Sequence, residues 1–296
     1  MLGVVAPDAN GNSRHDLFTD CSRRPQLTGH EKSFRTTDGV QLVYDDHGSG
    51  PAVLLIHGFT CRAAHWAFQR DALVKAGYRT LALDLRFHGR SDFPASGQRV
   101  SRLGKDVGEL IEHLELDDVA LVGHSLGVSV CLAYFDLFGT DRIRAFAAID
   151  QSPKIVNDES WAWGVRSVEW TNVWDSVNGR FQWGNPSLEP PMPAHVGQLF
   201  AEVGGLADFP AGAVLDLMVD HFTADWRDVV PTVNVPTWVA TGRYSPSFPL
   251  EGMQWLAENL PDSYLSVFED SGHCPHWNEP EAFNRELLAF LRVTLR

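Results

Sequence analysis

The strongest constraint on the fold lies at residues 119–138. Val119-Ala120-Leu121-Val122 is a short apolar run of buried-strand type. Gly123-His124-Ser125-Leu126-Gly127 follows, and residues 128–138 continue as an apolar stretch of helical length. A strand that turns into a helix so abruptly needs small residues on both sides of the turn, and the G-x-S-x-G spacing supplies them. The apex serine then has its hydroxyl above the sheet. It stands beside a helix N-terminus whose free N–H groups face any developing negative charge. Ser125 is therefore the candidate nucleophile. The bland alternative, a serine that merely shapes a turn, fits this strand-turn-helix context less well.

Around this unit the pattern alternates. Residues 34–37 and 41–45 read as two short strands separated by the hairpin signal Asp38-Gly39. Residues 52–56 form a continuous apolar run of central-strand type, ending in His57-Gly58-Phe59-Thr60. A helix is expected over 65–76, a strand over 80–85 and a helix over 100–114, where Val100, Leu103, Val107, Leu110, Ile111 and Leu114 recur near helical spacing. Residues 143–149 are the sixth strand and end at Asp150-Gln151-Ser152-Pro153. Such alternation implies a parallel sheet with helices on both faces.

The rhythm stops at Pro153. It resumes with a strand at 237–242, a helix at 250–260, a strand at 264–268 and a closing helix at 279–295. The block between carries Trp161, Trp163, Trp170, Trp174, Trp183 and Trp226 and is broken by prolines. It reads as a mainly helical insertion, clearest over 160–177 and 211–222. The domain reading is a mobile N-terminal arm at 1–31, a core made of 32–152 and 231–296, and a helical, tryptophan-rich cap at 153–230.

Composition removes several classes of function. The formal net charge of −14 repels phosphate backbones and anionic lipids, so neither nucleic acid nor membrane is an expected partner. No apolar run approaches the roughly 18 residues of a membrane span, and the N-terminus lacks a signal-peptide pattern, so the expected location is cytoplasmic. Cys21, Cys61, Cys131 and Cys274 are widely spaced without C-x-x-C, which predicts neither a metal site nor a disulfide framework. The expected partner is a small-molecule substrate, and a homodimer stays open.

Four motifs in order make the chain resemble the α/β-hydrolase superfamily from about Lys32 to Arg296. They are His57-Gly58-Phe59, Asp84-Leu85-Arg86-Phe87-His88-Gly89-Arg90-Ser91-Asp92, Gly123-His124-Ser125-Leu126-Gly127 and Gly272-His273. The resemblance implies an α/β fold: an eight-stranded, mostly parallel sheet flanked by helices, with a helical lid inserted after strand six. It implies Ser125 as nucleophile, His273 as general base, backbone N–H groups of Phe59 and Leu126 as oxyanion hole, and no cofactor. Histidine suits the base because its ordinary pKa lies near neutrality. His57 and His88 stand at positions that usually support loops, and residues 84–92 at a loop pinned by its own charge pairs. Phe87 replaces the usual glycine there and is expected to narrow the pocket rim. His124 is expected to point away from the pocket and His276 to pack beside it. Trp161, Trp163, Trp170 and His57 are the candidates for substrate contact.

The acid is where the chain departs from its relatives. Most members of the superfamily place an aspartate about three residues beyond a glycine after strand seven, and here Gly242-Arg243-Tyr244-Ser245 puts Ser245 there. A hydroxyl cannot balance the imidazolium that forms when the base takes a proton. The family's other location is the end of strand six, where Asp150 stands. Its plain alternative is a turn-capping aspartate. Asp270 competes for the role but, three residues from His273, it must fold back awkwardly.

The activity expected is hydrolysis of an ester-like bond (carboxylic ester, lactone or thioester) in a hydrophobic or aromatic small molecule, through an acyl-enzyme. Serine at the apex argues against the dehalogenase and epoxide hydrolase branches, which need a carboxylate nucleophile. One alternative is a cofactor-independent dioxygenase of a heteroaromatic ring such as a hydroxyquinolone. Asp150 and the tryptophans fit it, while Leu126 stands where those relatives often carry histidine. The other is a ligand-sensing receptor with a residual triad.

Overall fold

The computed structural model describes residues 29–179, 184–207, 209 and 212–295. The expected arm therefore lies outside the described residues apart from its last three, and Glu31 already belongs to the first strand. Trp183 lies outside them as well.

Eight strands form one sheet: β1 (Glu31–Arg35), β2 (Gln41–His47), β3 (Ala52–Ile56), β4 (Arg79–Asp84), β5 (Val119–His124), β6 (Ile143–Ile149), β7 (Thr237–Gly242) and β8 (Ser263–Phe268). Their order is β1-β2-β4-β3-β5-β6-β7-β8, antiparallel at the first two pairings and parallel from β4 to β8. Alternate residues of each central strand serve opposite faces. Leu54 and Ile56 of β3 pack with α2 (Val100–His113), α3 (Leu126–Phe138) and α7 (Leu250–Asn259), whereas Val53 and Leu55 pack with α1 (Ala67–Lys75) and α9 (Pro280–Thr294). Burial on both faces is why β3 and β5 read as unbroken apolar runs instead of alternating ones.

Strand order reverses between β3 and β5, because the chain leaves β3 for β4 on one side and returns to β5 on the other. In open parallel sheets such a switch opens a crevice at the carboxyl ends of the two strands. His57-Gly58-Phe59 and Ser125 stand at those two ends.

Helix α3 is apolar almost all round and is buried from Leu126 to Phe135, so its outer face needs cover. Amphipathic α2 provides it through Val100, Leu103, Val107, Leu110 and Ile111, each worth about 1.5–3 kcal/mol of burial. The helices meet closely at Gly104, where a Cβ would lie 2.8 Å from the Tyr134 amide nitrogen.

The loop after β4 is pinned by ion pairs, in line with its architectural reading. Arg86, fully buried, forks onto Asp106 of α2 at 2.5 and 2.6 Å. Arg90 reaches Asp84 at 2.6 Å and Asp45 at 2.8 Å. Asp84 also accepts the Ala63 N–H at 2.7 Å and so anchors the chain just past Phe59. Phe87 takes a positive φ of 67°, the conformation that glycine adopts freely, with its ring buried.

Between β6 and β7 lie α4 (Val173–Val177), α5 (Ala194–Val203) and α6 (Leu215–Thr223). The helix expected over 160–177 is thus only its last turn or so. Polar side chains explain the loss. Asn157 Nδ2 donates to the carbonyls of Val165 and Val168, and Asp158 Oδ1 accepts from both the backbone and the hydroxyl of Ser160. The helix expected over 211–222 begins at Leu215. No helix among the described residues is long and apolar enough to cross a membrane.

Candidate active site

Ser125 sits between β5 and α3 with φ 53° and ψ −123°, a backbone outside the ordinary right-handed regions. Such conformations cost about 1–3 kcal/mol and persist only where the surroundings enforce them. Here the flanking glycines do so by close approach. A Cβ on Gly123 would lie 2.6 Å from the Gly127 carbonyl oxygen, and one on Gly127 would lie 2.1 Å from that of Ile56. The Ser125 N–H donates to the Ile149 carbonyl at 3.0 Å, tying the apex to the end of β6.

Asp150, the next residue after β6, also has positive φ (46°) and is fully buried. Its Oδ2 accepts from His273 Nδ1 at 2.5 Å and from the Ser245 hydroxyl at 2.7 Å, while Oδ1 accepts from the Thr241 hydroxyl. The Asp150 N–H donates to the Ala240 carbonyl at 2.8 Å. Three donors on one buried carboxylate compensate for the water it has lost. Because the Asp150 carboxylate accepts the hydrogen bond of Nδ1–H, Nε2 of His273 is left as the ring nitrogen that can accept a proton.

Ser245 stands where the resemblance leads one to expect an acid, and its hydroxyl bonds the Asp150 carboxylate. It accepts the Phe248 N–H at 3.2 Å and donates to Asp150. Thr241 and Ser245 went unrecognised as partners because sequence alone does not say which strand end faces which. Asp270 is exposed, and its backbone N–H is held by Glu279 at 3.1 Å.

The other histidines support the loops that carry these groups. His124 Nε2 donates to the His273 carbonyl at 3.0 Å, and its ring lies 4.7 Å from His273 and 4.5 Å from His276. It thus lies beneath the base loop, where burial, assisted by the neighbouring His273, pushes its pKa well down and keeps it neutral. His276 is buried against Trp66 with ring centroids 4.7 Å apart. His57, a candidate for substrate contact, takes part in loop packing. It is buried, its Nδ1 pairs with the Gly58 carbonyl at 2.8 Å, and its Nε2 accepts the Leu85 N–H at 3.1 Å. With both nitrogens engaged it holds two loops together.

The tryptophans also pack elsewhere. Trp161 is buried, donates to the Lys154 carbonyl at 3.0 Å and meets Trp163 and Trp255 edge-on at 5.2 and 5.0 Å. Trp163 backs onto Gly252 of α7, and Trp170 is 52% exposed. Phenylalanines also lie near the candidate groups. Phe248 lies 6.1 Å from His273, and Phe59 meets His88 at 5.6 Å and Phe209 at 5.3 Å. Their dispersal along the chain hid them from a reading drawn to dense aromatic composition.

Two backbone N–H groups complete the set. Leu126 is the first residue of α3, so its N–H has no acceptor within the helix. Phe59 lies in the turn that Cys61 N closes onto the Gly58 carbonyl at 3.1 Å. A Cβ on Gly58 would lie 3.1 Å from Ser125 Cβ, so the Phe59 turn is seated directly against the serine.

Comparison with known proteins agrees with this frame. Residues 51–280 match the family described as the alpha/beta hydrolase fold. The non-heme chloroperoxidase CPO-A1 of Kitasatospora aureofaciens is 31% identical over 86% of this chain and 98% of its own. The bifunctional esterase/perhydrolase DCH of Acinetobacter calcoaceticus is 25% identical over 87% of this chain and 98% of its own. Among solved structures, the esterase EaEST of Exiguobacterium antarcticum superposes with a TM-score of 0.77 at 24% identity, covering 88% of this chain and 98% of that one. With its sheet order, the serine at the β5 turn and the histidine after β8, the chain belongs to the α/β-hydrolase family.

Proposed function

We propose that the protein hydrolyses an ester-like bond of a hydrophobic or aromatic small molecule through Ser125, His273 and Asp150. The observation that carries this reading is the 2.5 Å contact between the buried Asp150 carboxylate and His273 Nδ1, which leaves Nε2 free as a base. His273 Nε2 takes the Ser125 proton as Oγ attacks the substrate carbonyl. The oxyanion accepts hydrogen bonds from the Phe59 and Leu126 N–H groups, each such donor lowering the barrier by roughly 2.7–4 kcal/mol. The imidazolium, balanced by Asp150, returns the proton to the leaving group. Water, deprotonated by the same imidazole, then releases the acid and regenerates Ser125.

Residues 153–230 act in this reading as a cap that grips the segment after β3. Arg62 Nη2 donates to the Gly205 carbonyl at 2.7 Å, His65 Nε2 to that of Gly204 at 2.9 Å, and the Ala207 N–H to that of Thr60 at 2.7 Å. Phe248 beside His273, and Phe59 against Phe209, are in this reading the aromatic surface offered to the substrate. Apolar walls with a few fixed polar groups suit an aromatic or acyl substituent.

The test is turnover of p-nitrophenyl esters by Ser125→Ala. The expected loss is about 10⁴-fold or more with an unchanged circular dichroism spectrum. Retained turnover would remove Ser125 as nucleophile. A second reading, favoured by the chloroperoxidase and perhydrolase names of two relatives, keeps the acyl-enzyme and changes only what attacks it. Hydrogen peroxide in place of water gives a peracid and free Ser125. Peracid formation dependent on both Ser125 and an acyl donor would favour it, and its absence would leave hydrolysis alone.

A further inference from the structure

A glutamate from the insertion lies against the histidine loop. The His273 backbone N–H donates to Glu189 Oε2 at 3.2 Å. The same carboxylate lies over Gly272, where an added Cβ would meet Oε2 at 2.3 Å, Cδ at 2.4 Å and Oε1 at 2.5 Å. It therefore fills the space that a side chain at 272 would take. The Gly272 backbone is not left-handed, so a Cβ there would conflict chiefly with the end of the Glu189 side chain and would displace it.

Glu189 is placed by its neighbours. It follows the 3₁₀ turn Pro186–Leu188, and its N–H closes onto the Pro186 carbonyl at 3.2 Å. The turn is tied to the segment after β7 by the Asn185 N–H, which donates to the Pro246 carbonyl at 2.7 Å. Three titratable groups face the carboxylate: His273 attracts it, Asp150 repels it, and the Cys274 thiol is held protonated, above all by burial. Lost solvation raises the Glu189 pKa, opposed by the bond from the His273 N–H and the attraction of its ring.

We propose that Glu189 is a positioning residue for His273: its carboxylate ties the insertion to the histidine loop and sets a second negative charge beside the imidazole. The proposal rests on the reading of His273 as general base. Asp150 balances the imidazolium directly from a buried site, while Glu189 is exposed and holds the backbone N–H of the same residue. A negative charge beside an imidazole favours its protonated form. Removing that charge has two consequences of opposite appearance. The free base loses its proton at lower pH, so the acid limb of the kcat/KM profile moves to lower pH. The imidazolium of the transition state is less stabilised, so the plateau falls.

The experiment measures kcat/KM for a p-nitrophenyl ester from pH 5 to 9 in wild type, Glu189→Gln, Glu189→Ala, Gly272→Ala and the Gly272→Ala/Glu189→Ala double variant. Circular dichroism and Tm accompany each. Glu189→Gln keeps the acceptor for the His273 N–H and loses only the charge. Its acid limb is expected to move about half a pH unit lower, the modest size reflecting solvent screening, with a plateau roughly threefold down. Gly272→Ala displaces the carboxylate and is expected to move the limb the same way, with no added effect in the Glu189→Ala background. A Glu189→Gln profile superimposable on wild type overturns the proposal. So does a Gly272→Ala cost that is the same with and without Glu189. Silent Glu189 variants beside an inactive His273→Ala sink this inference alone, whereas an active His273→Ala sinks the assignment of the base. Should Glu189→Ala fail to fold, the near-isosteric Glu189→Gln still decides the question.

Discussion

The turns after β6 and β7 are neighbours in the sheet, and they meet at the carboxylate that bonds His273. One carries Asp150, the other Ser245, and their side chains meet at 2.7 Å. The family resemblance leads one to expect a carboxylate on the β7 turn; here the β7 turn supplies a hydroxyl that donates to the carboxylate on the β6 turn. The two positions are 95 residues apart in sequence and adjacent in space. What the comparison teaches is that the acid's role belongs to a point beside His273 Nδ1. Here the β6 turn delivers the carboxylate to that point and the β7 turn a donor to it.

The comparison breaks first at Asp150. Asp150→Asn is expected to lower kcat/KM by roughly 10⁴ while Asp270→Asn leaves it near wild type, because it is the Asp150 carboxylate that accepts the hydrogen bond of His273 Nδ1. The reverse ranking in steady-state kinetics would move the acid off the β6 turn. The exchange variant Asp150→Ser/Ser245→Asp sharpens it further. Returning the carboxylate to the β7 turn should recover at least tenfold in kcat/KM over Asp150→Ser alone. No recovery, in a protein whose Tm stays near wild type, would mean that the β7 turn no longer reaches Nδ1. The smallest effect is expected from Ser245→Ala. Losing one hydrogen bond to a charged group costs about 1.5 kcal/mol, read as an approximately tenfold fall in rate. An unchanged rate would show that Thr241 and His273 suffice to hold the carboxylate.

A second contrast separates the two aromatic populations. The tryptophans of residues 153–230 were conspicuous in composition, yet Trp161 and Trp163 pack against α7 and Trp170 faces solvent. Phe59, Phe209 and Phe248, separated by long stretches of chain, lie near the candidate groups. Composition reports how much aromatic surface a segment must bury, and says nothing about which neighbour it is buried against.

Much of the sheet was legible because its signals are local. The runs at Ala52–Ile56 and Val119–His124 are apolar because they are covered on both faces, and G-x-S-x-G marks a turn where neighbouring backbones approach within what a Cβ would need. The insertion was less legible. Helical propensity over 160–177 lost to Asn157 and Asp158 side chains that bond the backbone in turn conformations.

By itself the sequence determined the alternating strands and helices, the serine turn, the histidine after the last strand and the absence of an acid at the usual place. Each is written in a pattern of a few residues. Tertiary structure decided what those residues face: that Asp150, 123 residues from His273, meets Nδ1; that Ser245 donates to it; and that Glu189 lies over Gly272. The reason is physical. Periodicity and turn chemistry fix the direction of a side chain relative to its own strand, but distances between strand ends depend on the order in which the sheet is assembled, which no local pattern encodes.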